Sequence, residues 1–315
     1  MFELTYNNSI WSFGYIINHD NEKLAIPKFI YQELTINTNT LQMFITIAQI
    51  GSISGAAEEM GYAQSNISAK LRQLENDLNT KLFFRTNRGI TLTDNGKDFY
   101  AKAIKIVSLT DDAINQLQHP EEIHGNLKIG TLQTAASTFL PQILSKFHQQ
   151  NPQVELSIET GTTLLSAQRI LNYELDGAII GGKVSNQKLV ALPLMSEKLC
   201  LVTANTPDID IDNSSLLVFP VGCAYRKTLE SWLDSKQIMI HHPIEFNYLN
   251  AIIASVSAGL GISLLPQKVV QPYLDQGTLK AIELPDQFSI LPISFIYRRD
   301  YIITHSFKQF LENLK

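Results

Sequence analysis

The chain has 315 residues, of which 44% are hydrophobic and 17% charged, and its formal net charge is −5. This length allows two domains with a sizeable core, and the composition is that of a soluble globular protein. No apolar run approaches the roughly 18 residues of a membrane span, and the first residues lack the pattern of a signal peptide. We therefore expect a cytoplasmic protein that does not associate with membranes, and the acidic balance argues against a nonspecific coat for nucleic acids.

Residues 1–37 show no helical period, although they contain Trp11, Pro27 and several Tyr and Phe. We interpret them as an extension that is disordered or that results from a start codon assigned too early. The alternative is a functional arm that contacts a partner subunit.

An amphipathic helix is predicted from Thr40 onward, and it would support the segment that follows. Its apolar positions are Leu41, Phe44, Ile45, Ile47 and Ala48.

Two short helices around a tight turn are predicted within Ser52–Arg88. The first has an apolar face formed by Ala56, Ala57 and Met60, and the second has apolar residues at spacings of four, three and four. Gly61 can supply the positive φ that ends the first helix, and Ser65 can cap the second. The apolar residues of the second helix are Ile67, Leu71, Leu74 and Leu78.

The opposite edge of the second helix is polar and rich in amides. Amides and guanidinium groups match the donors and acceptors of base edges, whereas hydroxyls and backbone N–H groups bind phosphate. This pattern is typical of a helix that reads the major groove of double-stranded DNA. Its residues are Gln64, Ser65, Asn66, Ser68, Lys70 and Arg72.

A short hairpin is predicted over Thr86–Thr93, with Gly89 at its tip and Arg85 and Arg88 on its flanks. Between Met60 and Thr93 the basic residues outnumber the acidic ones by three. We interpret the hairpin as a wing that grips the DNA backbone or minor groove. The alternative for the two arginines is a solvated basic loop.

The longest helical pattern is Thr93–Gln118, which Thr93 or Asp94 would cap. Its apolar face is too wide for a solvated helix and predicts a partner. Pro120 ends the helix, and residues 119–125 form a hinge. The main stripe consists of Phe99, Ala103, Ile106, Ala113 and Leu117, with Tyr100, Ile104, Val107 and Ile114 beside it.

These elements together resemble the LysR-type transcriptional regulators. Two residues depart from the family pattern: Asn79 stands where Gly is usual, and Asn66 stands where Pro, Ala or Ser is common. The change at Asn66 leaves the preferred operator sequence open. The motifs that carry the resemblance are Ala56-Ala57, Gln64-Ser65, Ser68, Leu74-Glu75, Leu82-Phe83-Phe84-Arg85, Arg88 and Leu92-Thr93-Asp94-Asn95-Gly96.

The resemblance implies a winged helix-turn-helix domain at 38–93 and a linker helix at 94–120 that pairs antiparallel with its copy. The dimer, or a tetramer built from it, would place reading heads on the half-sites of one operator. RNA polymerase is a further expected partner.

From Asn126 onward, strands alternate with helices, which predicts an α/β region. The predicted strands are Leu127–Thr131, Val154–Glu159, Gly177–Ile180, Leu199–Thr203, Leu216–Phe219, Ile262–Leu265, Leu279–Leu284 and a return strand Ile293–Arg298. The predicted helices are Thr138–Gln150, Thr163–Tyr173, Tyr248–Ala258 and a closing helix from His305.

The resemblance implies that residues 124–315 form an effector-binding domain of two lobes, like those of periplasmic solute-binding proteins. Crossovers near Ala204 and Leu284 would divide it into lobe one, 125–204 plus 285–315, and lobe two, 205–284. Ala258–Pro266 is a further family hallmark.

A small molecule would bind beyond the carboxyl ends of the strands, where helix N-termini favour negative charge. We expect a small anionic metabolite there, with Arg226 pairing bidentately with its carboxylate. Alternatively, the threonines only cap helices and Arg226 is a surface residue. The predicted site residues are Gln133, Thr134, Thr162, Thr163, Gly222, Cys223, Tyr225 and Arg226.

The sequence gives little indication of disulfide, redox or metal chemistry. The two cysteines, Cys200 and Cys223, form neither a disulfide scaffold nor a metal site, and redox sensing by Cys223 is disfavoured because Cys200 lies in an apolar strand. The seven histidines lack ligand spacing, so we expect no metal and no cofactor.

The sequence therefore predicts an α/β multidomain regulator: a winged helix-turn-helix, a linker helix and a two-lobed effector domain. One alternative is a solute-binding protein of transport type whose N-terminal domain has no function. An enzyme is disfavoured, because the chain has no nucleophile elbow, phosphate-binding glycine loop or paired carboxylates.

Overall fold

The computed structural model describes residues 4–6, 9–17, 23–28, 36–86, 89–118, 122–206, 210–238 and 243–314. The chain divides into two compact units, Met1–Ile104 and Lys105–Lys315. Within the described ranges, no helix is both long and apolar enough to cross a membrane.

The N-terminal extension contains an antiparallel three-stranded sheet of β1 (Leu4–Tyr6), β2 (Ser9–Ile17) and β3 (Lys23–Lys28). Strands explain why the extension lacks a helical period. Its interpretation as a disordered segment or an early start stays a prediction.

Three helices follow: α1 (Thr38–Ile50), α2 (Ile53–Glu59) and α3 (Gln64–Asp77). Side chains cap the first two, since Asn37 accepts from the Thr40 amide and Ser52 from the Gly55 amide. The turn before α3 has Gly61 at a φ of 68°, which confirms the predicted left-handed glycine.

The predicted cap at Ser65 is wrong. Helix α3 already begins at Gln64, Ala63 occupies the N-cap position, and no side chain caps the helix. The Ser65 side chain is instead exposed on the first turn and accessible to an external partner.

A hairpin of β4 (Phe83–Thr86) and β5 (Gly89–Leu92) pairs Phe83 with Leu92 and Thr86 with Gly89. The hairpin therefore begins earlier than predicted, and Gly89 starts its second strand instead of forming its tip. Residues 87–88, and with them the predicted wing residue Arg88, lie outside the described residues.

Glu75 anchors α3 to the start of this hairpin. Its carboxylate is 5% exposed and accepts from the backbone N–H groups of Leu82 at 3.0 Å and Phe83 at 3.4 Å. The Lys81 ammonium adds a third bond at 2.7 Å. Burial raises the pKa of Glu75, but these hydrogen bonds outweigh it and hold the pKa below its ordinary value.

The apolar residues of helix α4 (Asp94–Gln118) fall into two groups: those near its start pack against α1, and several farther along are exposed. The Thr93 hydroxyl caps the helix, as predicted, by accepting from the Gly96 amide. Near its start, Phe99 and Tyr100 pack against the buried ring of Phe44, with centroids 5.1 and 6.3 Å away. Farther along, the apolar side chains Ile106, Leu109, Ile114 and Leu117 are exposed.

The second unit is α/β. Its first half runs β6 (Gly125–Thr131), α5 (Gln133–Ser137), α6 (Leu140–Gln150), β7 (Val154–Thr160), α7 (Thr163–Leu171), β8 (Gly177–Gly181) and β9 (Leu189–Ala204). It continues with β10 (Leu217–Val218), α8 (Ala224–Ser235), β11 (Ile244–Glu245), α9 (Leu249–Ser257), β12 (Ser263–Pro266), α10 (Gln267–Asp275), β13 (Leu279–Ile282), α11 (Asp286–Ser289), β14 (Ile290–Arg298) and α12 (His305–Asn313).

Strand β9 connects the two lobes, because its partners change along its length. Residues 189–198 pair antiparallel with β14, whereas 199–204 pair with β12 and β13. The first crossover therefore lies at Lys198–Leu199, before the predicted position near Ala204. The chain returns between β13 and β14, which includes the predicted position near Leu284.

Two further expectations change. The strand predicted at Leu199–Thr203 is only the second part of β9. The helix predicted at Thr138–Gln150 is α6, which begins two residues later at Leu140, and the short helix α5 that precedes it, closed by Thr138 at a φ of −117° and a ψ of −79°, was not predicted.

Replacing Glu75 with alanine should destabilise the junction between α3 and the hairpin. The buried amides of Leu82 and Phe83 would lose their acceptor, at a cost of about 2 kcal/mol. Hydrogen exchange measured by mass spectrometry on peptides covering 78–86 should accelerate about 30-fold.

Glu58→Ala on the exposed side of α2 is the control, and its exchange should match the parent. Because the folded-state pKa of Glu75 is lowered, its contribution is complete above the unfolded-state pKa and is lost as the pH falls through the folded-state pKa. Equal exchange in Glu75→Ala and the parent at pH 7 would contradict this role.

Candidate functional site

The exposed face of α3 is the first candidate. Gln64, Ser65, Asn66, Lys70 and Arg72 are exposed and Ser68 is half-buried, whereas Ile67, Leu71 and Leu74 are buried on the opposite face. The structure thus brings six predicted DNA-contacting residues to one accessible surface.

Lys70, one of these six residues, and Arg85 on the neighbouring hairpin supply positive charge at this surface. The Lys70 ammonium lies 5.2 Å from the centre of the Tyr62 ring, which restricts its position through a cation–π contact. Arg85 is exposed on β4 opposite Ile90. A helix edge of amides, hydroxyls and guanidinium groups can match base edges in the major groove, and cations beside it can bind phosphates.

The second candidate is a cavity of about 450 Å³ in the α/β unit. It lies where β6 and β7 end, against the loop before α8 and the residues before α9. Its lining residues carry no formal charge. They are Leu132, Gln133, Thr134, Thr160, Gly161, Thr162, Leu165, Phe219, Pro220, Cys223, Tyr225, Asn247 and Tyr248.

Five predicted effector-site residues reach this cavity and three do not. Thr163 lies outside the lining, since its hydroxyl donates to the Gly181 carbonyl at 3.0 Å and accepts from the Gly181 amide at 3.2 Å. Gly222 is also outside, and its role is steric, because a Cβ there would lie 2.7 Å from the Leu164 Cβ.

The predicted position of Arg226 in the cleft is wrong. Its guanidinium donates to Glu230 at 2.7 Å, Glu245 at 2.8 Å and the Phe219 carbonyl at 3.3 Å. These acceptors occupy the guanidinium, and Arg226 contacts the lining residue Phe219 only at its backbone carbonyl without lining the cavity itself. The argument for an anionic ligand that rested on Arg226 therefore fails.

Two residues at the start of α5 form hydrogen bonds across the cleft. The Gln133 amide donates to the Asn247 carbonyl and accepts from the Leu249 amide, the latter at 2.8 Å. The Thr134 hydroxyl lies 2.6 Å from the Tyr225 hydroxyl, which donates to the Glu197 carboxylate at 2.8 Å. Since Tyr225 has one proton, Thr134 is the donor to Tyr225.

Glu197 is a residue that sequence reasoning missed. It lies on β9 next to the crossover, and burial raises the pKa of its carboxyl group although the bond from Tyr225 lowers it. The pKa of Tyr225 is raised well above its ordinary value, first by burial and then by the Glu197 charge. No local pattern marks Glu197, because only the tertiary fold brings it to Tyr225.

Thr160, Asn247 and Tyr248 were also missed. Thr160 ends β7 two residues before the predicted site residue Thr162, and Asn247 and Tyr248 directly precede α9. Each of these residues lies at the end of a strand or in the connection from a strand to a helix, and this position could have identified them as candidates from the sequence.

Both cysteines are free and buried. Burial raises the pKa of Cys200 to about 11 and also raises the pKa of Cys223. A raised pKa lowers the thiolate fraction and hence the reactivity toward oxidants. Within the described ranges, no group of three or more His, Cys, Asp or Glu could hold a metal ion.

Comparison with known proteins matches both candidate regions. Residues 38–97 match the family described as bacterial regulatory helix-turn-helix protein, lysR family, and residues 120–315 match the LysR substrate binding domain. Two similar proteins come from Bacillus subtilis (strain 168). The uncharacterized regulator YusT is 39% identical over 280 residues, 88% of this chain and 95% of YusT, and the transcriptional regulator GltR is 39% identical over 285 residues, 89% and 96%.

Solved structures share the fold. A full-length variant of OxyR from Pseudomonas aeruginosa has a TM-score of 0.68 at 22% identity, covering 89% of this chain and 94% of OxyR. CbnR in complex with its target DNA has a TM-score of 0.58 at 19% identity, covering 88% and 98%.

The fold and sites define a DNA-binding transcriptional regulator with an effector-binding domain, in preference to a solute-binding protein of transport type. More specifically, the chain belongs to the LysR family of bacterial transcriptional regulators. Its relatives YusT and GltR are named as transcriptional regulators, not as enzymes.

Replacing Tyr225 with phenylalanine should weaken the connection between the lobes. Thr134 and Glu197 would lose a buried partner while the ring volume stays, so the free energy of unfolding should fall by about 1–3 kcal/mol. Urea denaturation followed by Trp fluorescence, to which Trp232 on α8 contributes, measures this change.

Tyr297→Phe is the matched control, because the Tyr297 hydroxyl forms no hydrogen bond to any other described residue. An unfolding free energy for Tyr225→Phe equal to that of Tyr297→Phe would show that the Tyr225 hydroxyl contributes nothing.

Proposed function

We propose that the exposed face of α3 reads the operator sequence and that the cations beside it hold the DNA backbone. Base contacts are assigned to Gln64, Ser65, Asn66, Ser68 and Arg72, and backbone contacts to Lys70, Arg85 and Arg88. The accessibility of the described members of this set, on a helix whose other face is buried, supports the assignment.

The cavity is the proposed effector site. It lies at the carboxyl ends of β6 and β7 and has the volume of a small-molecule pocket, and this position is the observation that carries the proposal. A metabolite bound there changes operator binding or the contact with RNA polymerase. The ligand is bound and released without chemical change, and regulation takes place in the cytoplasm.

Self-association is proposed to occur through α4. The exposed side chains Ile106, Leu109, Ile114 and Leu117 continue the stripe whose first residues pack on Phe44. An exposed apolar face of this length is stabilised by a second copy, and a dimer places two reading helices on one operator. A tetramer would pair two such dimers.

Substitutions in the DNA-binding surface formed by α3 and the hairpin β4–β5, here called the reading head, should separate recognition of the operator sequence from binding of the DNA backbone. Gln64→Ala should weaken binding to the promoter upstream of the protein's own gene by about 10–100-fold and leave binding to a scrambled duplex nearly unchanged. Arg85→Ala should weaken both and reduce the slope of log Kd against log salt by about 1. Fluorescence anisotropy measures all four affinities.

Lys308→Ala is the control, since it removes one exposed positive charge from α12 without touching the reading head. The assignment fails if Gln64→Ala and Arg85→Ala both bind the promoter as tightly as Lys308→Ala does.

A charge in the exposed stripe of α4 should prevent self-association. Ile106→Glu would place two buried carboxylates in a dimer interface, so the dimer dissociation constant should rise at least about tenfold. Sedimentation equilibrium compares it with Leu260→Glu, an equally exposed apolar position outside α4. Equal dissociation constants for the two variants would remove α4 from the interface.

A further inference from the structure

The lining of the cavity identifies a class of ligand. We propose that the effector has an apolar body and carries at most one carboxylate, and that doubly charged and phosphorylated metabolites are excluded. This inference rests on the proposed role of the cavity as the effector site. It limits the small anionic ligand that the sequence suggested to a single negative charge.

Much of the hydrogen-bonding capacity of the lining is already used. Both ends of the Gln133 amide are bound to the backbone of Asn247 and Leu249 at the start of α9, and the fully buried Thr134 hydroxyl is bound to Tyr225. The Tyr225 proton is bound to Glu197. A ligand that used these groups would have to break bonds between the lobes, which costs the partners their hydrogen bonds.

The polar side chains that remain are neutral and few. The Thr162 hydroxyl accepts from the Leu165 amide at 3.3 Å, so its proton is available to a ligand oxygen. The side chains of Thr160 and Asn247 form no hydrogen bond to other described residues, and both residues are exposed. Hydroxyls and an amide can bind one carboxylate or a neutral polar group, but they cannot neutralise two charges.

No positive charge lies in the described part of the lining to compensate a dianion. The cation nearest in sequence, Arg226, is paired with Glu230 and Glu245. Tyr225 donates to the carboxylate of Glu197, whose negative charge disfavours a second negative charge on the ligand.

The apolar part of the lining is large and partly uncovered. Leu132 and Phe219 form buried wall, whereas Leu165 is 47% and Tyr248 73% exposed. Exposed large apolar side chains at the rim of a cavity are stabilised when a ligand covers them. An apolar ligand body between Leu165 and Tyr248 would do so.

Matched pairs of probes test the inference on the full chain. Hexanoate and adipate have the same chain length and differ by a second carboxylate in place of a methyl group, as do octanoate and suberate. Isothermal titration calorimetry should give a Kd at least about tenfold lower for each monocarboxylate than for its dicarboxylate.

Variants locate the binding. Tyr248→Ser should raise the Kd of octanoate about tenfold through lost apolar contact, whereas Leu260→Ser, at an exposed apolar position outside the lining, should leave it unchanged. Thermal unfolding of both variants, measured in parallel, establishes that they fold.

Three results would overturn the inference. Tighter binding of adipate and suberate would reverse the ligand class while leaving the cavity as the effector site. Octanoate binding that Tyr248→Ser does not weaken would place the ligand elsewhere. If neither the monocarboxylates nor the dicarboxylates bind, the proposed ligand class is excluded. The role of the cavity as the effector site is tested separately, by whether any other metabolite that binds there alters operator binding.

Discussion

The hydroxyl of Tyr225 is the buried polar group on which the geometry of the effector-binding unit depends. It accepts from Thr134 beyond β6 and donates to Glu197 on β9, and β9 itself passes from one lobe to the other. A buried donor or acceptor without a partner costs about 1–3 kcal/mol, so these bonds favour a single arrangement of the lobes. The shape of the cavity follows from this arrangement.

The same constraint acts in the DNA-binding unit. Glu75 satisfies two backbone amides at the start of the hairpin, and this fixes the hairpin that carries Arg85 relative to α3. In both units a carboxyl group, buried in Glu75 and half-buried in Glu197, stabilises the packing of the elements, and neutral or positively charged groups remain on the surface for ligands. Arg226 illustrates the difference between structural and ligand-binding groups. Its ion pairs with Glu230 and Glu245 make it part of the structure, so its charge is not available to a ligand.

Local sequence patterns predicted the features that depend on local sequence, namely the helices, the left-handed conformation of Gly61 and the Thr93 cap. They also predicted the strands β6 and β7, and the cavity lies at the carboxyl ends of these strands. They could not predict that Arg226 would find two glutamates, one of them 19 residues away in a different element, or that Glu197 would reach Tyr225. Those contacts depend on tertiary packing. The cap assigned to Ser65 failed because the true N-cap, Ala63, lies two residues earlier, a difference too small for propensity rules to resolve.

We propose that occupancy of the cavity controls how the chain binds its operator. The most direct measurement is DNase I footprinting of the promoter with increasing concentrations of a metabolite that raises the melting temperature of the full chain. We expect the footprint to change in extent or affinity at the same concentrations that stabilise the protein, and we expect Tyr248→Ser to shift both responses together. A ligand that binds the cavity with full stabilisation and leaves the footprint unaltered would contradict this proposal.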